Sequence, residues 1–233
     1  MPKGPKNLAY KAAKALLDYT GKRLSCRITI KKHIPVAAGL GGGSSNAATA
    51  LIGLNRLWRL GLSKKELLSL GSKIGADVNF FLSNSSFAVG TGKGEAILPV
   101  RLKKQLWHVI IAPKSGLSTK DVYHYWDNMY NTENSLTQAH ADVKILLRLI
   151  RSDNLTLLAK NLHNDLEEPA AVKDRTILKI KELLKSSGTA RAAMSGSGSC
   201  VFGIAPSAKE AARIKKKLTR LKREWQIFTV KTI

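Results

Sequence analysis

The stretch Pro35-Val36-Ala37-Ala38-Gly39-Leu40-Gly41-Gly42-Gly43-Ser44-Ser45-Asn46-Ala47-Ala48 decides how this chain is read. Three consecutive glycines allow positive-φ backbone and let successive N–H groups crowd around an anion. Ser44, Ser45 and Asn46 then open a helix whose apolar stripe runs through Ala47, Ala50, Leu51, Leu54, Leu57 and Trp58. The unpaired N–H groups and the dipole at the start of such a helix favour phosphate. The serine hydroxyls add donors, and Ser44 is a candidate ligand for Mg²⁺. The plain alternative is a glycine loop capped by Ser44 that binds nothing. A Walker loop would end in Gly-Lys-Ser/Thr, and no lysine stands there. A dinucleotide fingerprint needs Gly or Ala at position 44 and a strand directly before the loop. Ser44 and the interval from Lys31 to Ala38 exclude it. A phosphate cradle of another kind remains.

Outward from the loop, helix and strand signals alternate. Asn7 to about Asp18 has helical periodicity, with Leu8, Ala12, Ala15, Leu16 and Tyr19 on one face and Gly21 as its stop. Leu24, Cys26, Ile28 and Ile30 alternate with polar residues and predict a half-buried strand. Ser63-Lys64-Lys65-Glu66 is a capping box that starts a helix running toward Gly71. Asp77 follows in a short turn before an apolar run. Phe87 to Val89 and Ala96 to Val100 read as strands around the Gly90–Gly94 turn. A buried strand at Val109–Ala112 and a helix capped by Ser118 come next. Helices are expected near Asp142–Arg151, Leu155–Leu162 and Asp174–Ser187, the last closed by Gly188. Strands at Arg191–Met194 and Cys200–Ile204 flank Ser195-Gly196-Ser197-Gly198-Ser199. A second capping box at Ser207–Glu210 starts a basic helix, and Gln226–Thr232 ends the chain as a strand. This mixture predicts an α+β protein of two lobes, residues 1–104 and 105–233.

The 233 residues include 39 Lys+Arg against 16 Asp+Glu, a formal net charge of +23, with 44% hydrophobic residues. That apolar content excludes a disordered chain. Much of the charge lies on helices: Ile214, Leu218, Leu221 and Trp225 form one stripe, with Lys215, Lys216 and Lys217 away from it. The charge reads first as a solvated face and would also suit a polyanionic substrate; a nucleic-acid surface is the less favoured reading, and the charge alone does not decide among them. Cys26 and Cys200 stand alone, without metal-ligand spacing, which fits a reducing, cytoplasmic setting. The start lacks the uninterrupted apolar core of a signal peptide, and no stretch approaches the roughly 20 apolar residues of a membrane span. A monomer or homodimer is expected.

The glycine loop resembles the phosphate-loop motif of the GHMP kinase superfamily. Three further segments agree in order: Asn7–Ala13, Gly75-Ala76-Asp77-Val78-Asn79-Phe80-Phe81, and Ser195–Phe202. The resemblance implies a ribosomal protein S5 domain 2-like N-terminal lobe, incomplete here, and a ferredoxin-like C-terminal lobe. It is strongest with the branch that phosphorylates cytidine diphospho-methylerythritol in non-mevalonate isoprenoid synthesis. ATP and Mg²⁺ are then the implied cofactors. Pro35, Ala37, Ala38, Gly39, Leu40, Gly41, Gly42, Gly43, Ser44, Ser45 and Asn46 match the phosphate cradle, while Asn7, Leu8 and Lys32 match nucleotide-side positions. Asp77 matches the catalytic aspartate that deprotonates the substrate hydroxyl. Thr119 and Tyr123 match the cytidine pocket, and Gly196, Ser197 and Gly198 a turn that closes over the loop. Without the resemblance, Asn7 reads as an N-cap, Lys32 as a surface lysine, Asp77 as a cap, Tyr123 as helix packing and Ser195–Ser199 as a hairpin turn.

Two features depart from the pattern. Asn79 stands where a proline is common, with little effect expected. The Pro-Ala-Lys-x-Asn motif of the family's front strands is missing, which reads as a chain that opens part-way through the first lobe, with an unpaired sheet edge prone to aggregation. The remaining readings are a homoserine- or mevalonate-type kinase and an inactive nucleotide- or nucleic-acid-binding remnant.

Overall fold

The computed structural model describes residues 2–101, 105–130, 143–152 and 155–233. It divides into two compact units: Met1–Val36 with Gly41–Arg101, and Ala37–Leu40 with Leu102–Ile233. The four residues Ala37–Leu40 pack with the second unit, so the division is not a single cut near residue 105. Residue 104 and Asp142, at which a boundary and a helix start are expected, lie outside the described residues.

The first unit is built on helices. α1 (Leu8–Thr20) starts where the Asn7 side chain accepts from the Ala9 N–H at 3.0 Å and stops at left-handed Gly21. Its small residues Ala9 and Ala12 and the fully buried Leu16 face inward. There Ala12 and Leu16 share a core with Ala47, Ala48 and Leu51 of α2 (Gly42–Leu57). Burial of a leucine such as Leu16 or Leu51 contributes roughly 1.5–3 kcal/mol. α3 (Lys64–Ile74) carries the expected capping box in full: Glu66 N–H donates to Ser63, and the Glu66 carboxylate accepts from Ser63 N–H. α4 (Val78–Ser83) packs Val78 and Leu82 into the same core. A hairpin of β1 (Phe87–Thr91) and β2 (Ala96–Val100) completes the unit, with Thr91 opposite Ala96.

The strand expected at Leu24–Ile30 is not formed. Leu24, Cys26 and Ile28 are exposed, and among the described residues no strand pairs with them. Alternation of apolar and polar residues specifies a face, but a strand also needs a neighbour to bond its backbone.

The second unit is a four-stranded antiparallel sheet under helices. Its strands are β3 (Trp107–Ala112), β4 (Ala192–Met194), β5 (Val201–Ala205) and β6 (Gln226–Lys231), in the spatial order β4-β5-β3-β6. Helices between them run α5 (Thr119–Tyr130), α6 (Val143–Arg151), α7 (Leu155–Lys160), α8 (Glu167–Lys173), α9 (Thr176–Ser186) and α10 (Ala208–Leu221). The β-α-β-β-α-β sequence with this order is the ferredoxin-like arrangement the resemblance implies. Period-two alternation sends Val109 and Ile111 of β3 into a core with Ile177, Ile180 and Leu184 of α9 and Ile214 and Leu218 of α10. Of the apolar stripe of the basic helix, Ile214 and Leu218 pack inward and Trp225 lies half-buried against the core, but Leu221, in the last turn, is exposed; Lys209, Lys216 and Lys217 face solvent. Its capping is half of that expected: Ser207 accepts from Glu210 N–H, but no return bond forms. Sequence periodicity misses α8, a seven-residue helix with Pro169 in its first turn. Among the described residues no helix is long and apolar enough to cross a membrane.

Candidate active site

In the first unit the loop becomes a helix at Gly41, which is left-handed at φ 61° and forms the N-cap of α2. An L residue there would be strained, and its Cβ would lie 2.9 Å from Cζ of Phe81. The bare Gly41 lets the Phe81 ring lie against the loop, and Phe81 belongs to α4, whose N-cap position is Asp77. The packing therefore registers Asp77 to the glycine loop through one aromatic side chain, a link that no spacing in the sequence announces.

The first turn of α2 presents the N–H groups of Gly42, Gly43 and Ser44, which have no partner within the helix; Ser45 N–H already donates to Gly41 O at 2.9 Å. Lys32 Nζ donates to Gly42 O at 2.7 Å, so an ammonium sits at the positive end of the helix. Burial lowers the Lys32 pKa. Two cationic features held together are suited to a multiply charged anion. Leu8 lies beside Gly43, where a Cβ would be 3.3 Å from Leu8 Cδ1. Asn7 is an N-cap, as its residue type suggests; its Nδ2 also donates to Pro2 O at 3.0 Å. Lys32 is not a free surface lysine. Ser44 is buried in the first turn, Ser45 and Asn46 are half-buried, and Pro35 is half-buried ahead of the loop. No side chain caps α2, which removes the reading of Ser44 as a cap.

Asp77 is exposed and its carboxylate makes no capping hydrogen bond to α4. A helix-capping duty does not explain it. Two residues on, Asn79 is buried and its Nδ2 donates to Glu95 O at 2.9 Å, tying α4 to β2's approach, while its Oδ1 has no partner among the described residues. The neighbouring position is thus more constrained than its polar residue type suggests.

In the second unit Ala37–Leu40 seat on the turn between β4 and β5. Ala37 and Gly39 are left-handed, at φ 54° and 71°. Ser195 Oγ donates to Gly39 O at 2.9 Å, and Cys200 N–H donates to Ala38 O at 3.3 Å. A Cβ on Gly196 would stand 3.1 Å from Gly39 O, and one on Gly198 would meet Met194 Sδ at 2.7 Å. Leu40 packs with Ala38, Ala112 and Cys200. Ser197 Oγ lies 2.8 Å from Thr119 Oγ1. Thr119 is the first residue of α5, and Tyr123 follows one turn later with half its surface exposed. The unit thus brings Ala38, Gly39, Gly196, Ser197, Gly198 and Thr119 together, and it leaves Tyr123 uncovered instead of packed. Ser195–Ser199 is both a hairpin turn and a seat for the loop.

Cys200, behind Ala38, is fully buried, and burial pushes its thiol pKa up to about 12. Cys26 is exposed. Iodoacetamide at neutral pH is expected to alkylate one thiol per chain, at Cys26, and both only after unfolding; mass spectrometry of the peptides reads this directly, and rapid native labelling of Cys200 would contradict it.

Residues 7–85 match the family of GHMP kinases N terminal domains, and residues 146–223 match GHMP kinases C terminal. The chain is 43% identical over 204 residues to a protein of Geobacillus kaustophilus (strain HTA426) named 4-diphosphocytidyl-2-C-methyl-D-erythritol kinase. That match covers 88% of this chain and 68% of the relative. Its fold superposes on a crystal structure of 4-(cytidine 5'-diphospho)-2C-methyl-D-erythritol kinase with a TM-score of 0.80 and 29% identity, covering 99% of this chain and 80% of the other. Homoserine kinase from Cytophaga hutchinsonii gives a TM-score of 0.78 at 18% identity, covering 100% and 78%, and shares the fold alone. The chain belongs to the 4-diphosphocytidyl-2-C-methyl-D-erythritol kinase family of the GHMP kinases.

Proposed function

We propose that this chain transfers the γ-phosphoryl group of ATP to the 2-hydroxyl of 4-diphosphocytidyl-2-C-methyl-D-erythritol, in the cytoplasm, as a step of non-mevalonate isoprenoid synthesis. The observation that carries the reading is the identity of 43% with a kinase of that name across 88% of the chain. The site chemistry agrees with it. Phosphoryl transfer needs little covalent chemistry from the protein, and catalysis comes from positioning and charge stabilisation.

The free N–H groups of Gly42, Gly43 and Ser44 bind the phosphates, and Lys32 adds positive charge at the nucleotide end. Leu8 and Asn7 border the adenosine. Asp77, uncapped and exposed, accepts the proton of the 2-hydroxyl as that oxygen attacks. Thr119, Tyr123 and the Gly196-Ser197-Gly198 turn receive the cytidine diphosphate, with Tyr123 stacking on the base.

Among the described residues no three His, Cys, Asp or Glu side chains converge as metal ligands. Mg²⁺ needs no such cage, because it binds largely through substrate phosphates. The buried Ser44 hydroxyl in the first turn of α2 is an oxygen donor of the right kind to share in holding it. Mg²⁺ would supply neutralisation of charge on the β- and γ-phosphates.

ATP consumption with the cytidine diphospho-sugar alcohol, homoserine and mevalonate as alternative acceptors tests the reading. Turnover with the first acceptor alone is expected, and preference for either of the others would overturn it. Tyr123→Ala is expected to weaken binding of the cytidine substrate by ~1–3 kcal/mol with ATP affinity unchanged, the loss typical of an aromatic stacked on a base. An unchanged substrate Kd would return Tyr123 to a surface role.

A further inference from the structure

We propose that Asn164 is a positioning residue for phosphoryl transfer, setting the turn on which Gly39 of the phosphate loop seats. The inference rests on the function proposed above and adds a residue to it. Asn164 lies in the connection before α8, thirty residues from the turn in sequence, and no motif points to it.

All the bonding capacity that Asn164 shows is directed at this task. Its Nδ2 donates to Met194 O at 2.8 Å and to Gly196 O at 2.8 Å, spanning the exit of β4 and the start of the turn. Its Oδ1 accepts from Leu166 N–H at 3.0 Å, which fixes the side chain at the start of its own helix. Glu167, one turn on, accepts from Met194 N–H at 2.9 Å and is itself paired with Lys181 of α9. The segment 164–167 therefore holds Met194 by both its N–H and its carbonyl, and Gly196 by its carbonyl.

What is held at one end is transmitted at the other. Ser195, between the two clamped carbonyls, donates its hydroxyl to Gly39 O at 2.9 Å. Gly196 and Gly39 approach so closely that a Cβ on Gly196 would be 3.1 Å from Gly39 O. Backbone against backbone leaves no compliant side chain to absorb a shift. Displacement of the turn by a few tenths of an ångström moves Gly39, and the same displacement moves Ser197 against Thr119.

Asn164→Asp separates positioning from folding. The aspartate keeps an oxygen for Leu166 N–H but loses both donors and sets a carboxylate against two carbonyls. Asn164 lines an open cavity with His163, Asp165 and Phe202, so water can hydrate the new charge. Nucleotide affinity, read by calorimetry with a non-hydrolysable ATP analogue and no acceptor, is expected to fall about tenfold, the worth of about one net hydrogen bond. Ser195→Ala, which breaks the far end of the same path, is expected to give a similar loss. The double variant is expected to bind no more weakly than the weaker single variant.

An unchanged Kd, a loss confined to thermal stability, or losses that multiply to about a hundredfold in the double variant would overturn the proposal. Binding stoichiometry reports the folded fraction separately, so partial unfolding of Asn164→Asp does not mimic the effect. Turnover of the unsubstituted chain with the cytidine substrate is a separate reading: its absence would sink the function proposed above, while the three Kd values would still decide the role of Asn164.

Discussion

Asp77→Asn is expected to lower kcat by about 100- to 10,000-fold, the span that a positioned general base contributes, and to leave ATP bound as tightly as before. The substitution keeps the shape of the side chain and removes only its capacity to take a proton. Two observations separate this from a structural effect. Asp77 is exposed, and its carboxylate caps nothing, so folding does not depend on its charge. The proposed cradle consists of the N–H groups at the start of α2 and of Lys32, and among the described residues Asp77 makes no hydrogen bond to them. Loss of a negative charge near the phosphates would, if anything, tighten nucleotide binding. Single-turnover rates with the cytidine substrate, alongside calorimetric titration of nucleotide, give the two numbers. A variant as active as the parent would remove Asp77 from the chemistry. Equal losses of rate and nucleotide affinity would place it in the cradle.

The sequence carries the elements whose information is local. Caps at Asn7 and Ser63 and the left-handed stop at Gly21 lie within a few residues of what they control, and each forms as the spacing predicts; the α2 stripe is buried at Ala47, Leu51 and Leu54, while Leu57 at its end is exposed. The glycine loop running into a helix is legible for the same reason, since glycine density and the following helix are contiguous. Leu24–Ile30 shows the limit. Its apolar–polar alternation is more regular than the apolar run of β3, yet β3 lies between β5 and β6 while Leu24–Ile30 pairs with nothing among the described residues. Partnership is a property of distant sequence. The site divides in the same way. Gly41 is visible as a glycine, but that its bareness admits Phe81, and so ties α4 to the loop, emerges only when forty residues fold back. Asn164 and Glu167 are invisible in advance, because Asn and Glu in a connecting segment suggest a solvated turn, and their targets are backbone groups that carry no sequence signature.

Gly39→Ala is expected to destabilise the protein by about 2–5 kcal/mol and to abolish measurable nucleotide binding in the fraction that remains folded. Two costs add. Gly39 is left-handed at φ 71°, where an L residue loses roughly 1–2 kcal/mol. The new Cβ would collide with Ser195 O and lie 3.0 Å from both Gly198 N and Gly198 O, all of them backbone atoms. Overpacking of that kind costs about 1–3 kcal/mol, because the structure can relax only by moving a chain segment. Here the segment resists: Gly198 N–H donates to Ser195 O at 3.0 Å, Ser195 N–H to Cys200 O at 2.9 Å, and Asn164 holds the carbonyls on either side. The loop is displaced instead of the turn, and the N–H groups that follow Gly41 lose their aim. The same substitution elsewhere in the chain supplies the controls. Gly53, exposed in the middle of α2 with open space around its Cβ position, should gain about 0.5–1 kcal/mol as alanine. At Gly43 the Cβ would meet only Leu8 Cδ1, at 3.3 Å, the movable end of a side chain, so a change under ~1 kcal/mol is expected. Urea unfolding of the three variants and nucleotide titration of each would show the order Gly53, Gly43, Gly39 from most to least stable. A Gly39→Ala protein as stable as Gly43→Ala, with nucleotide affinity intact, would mean that the turn yields and does not seat the loop.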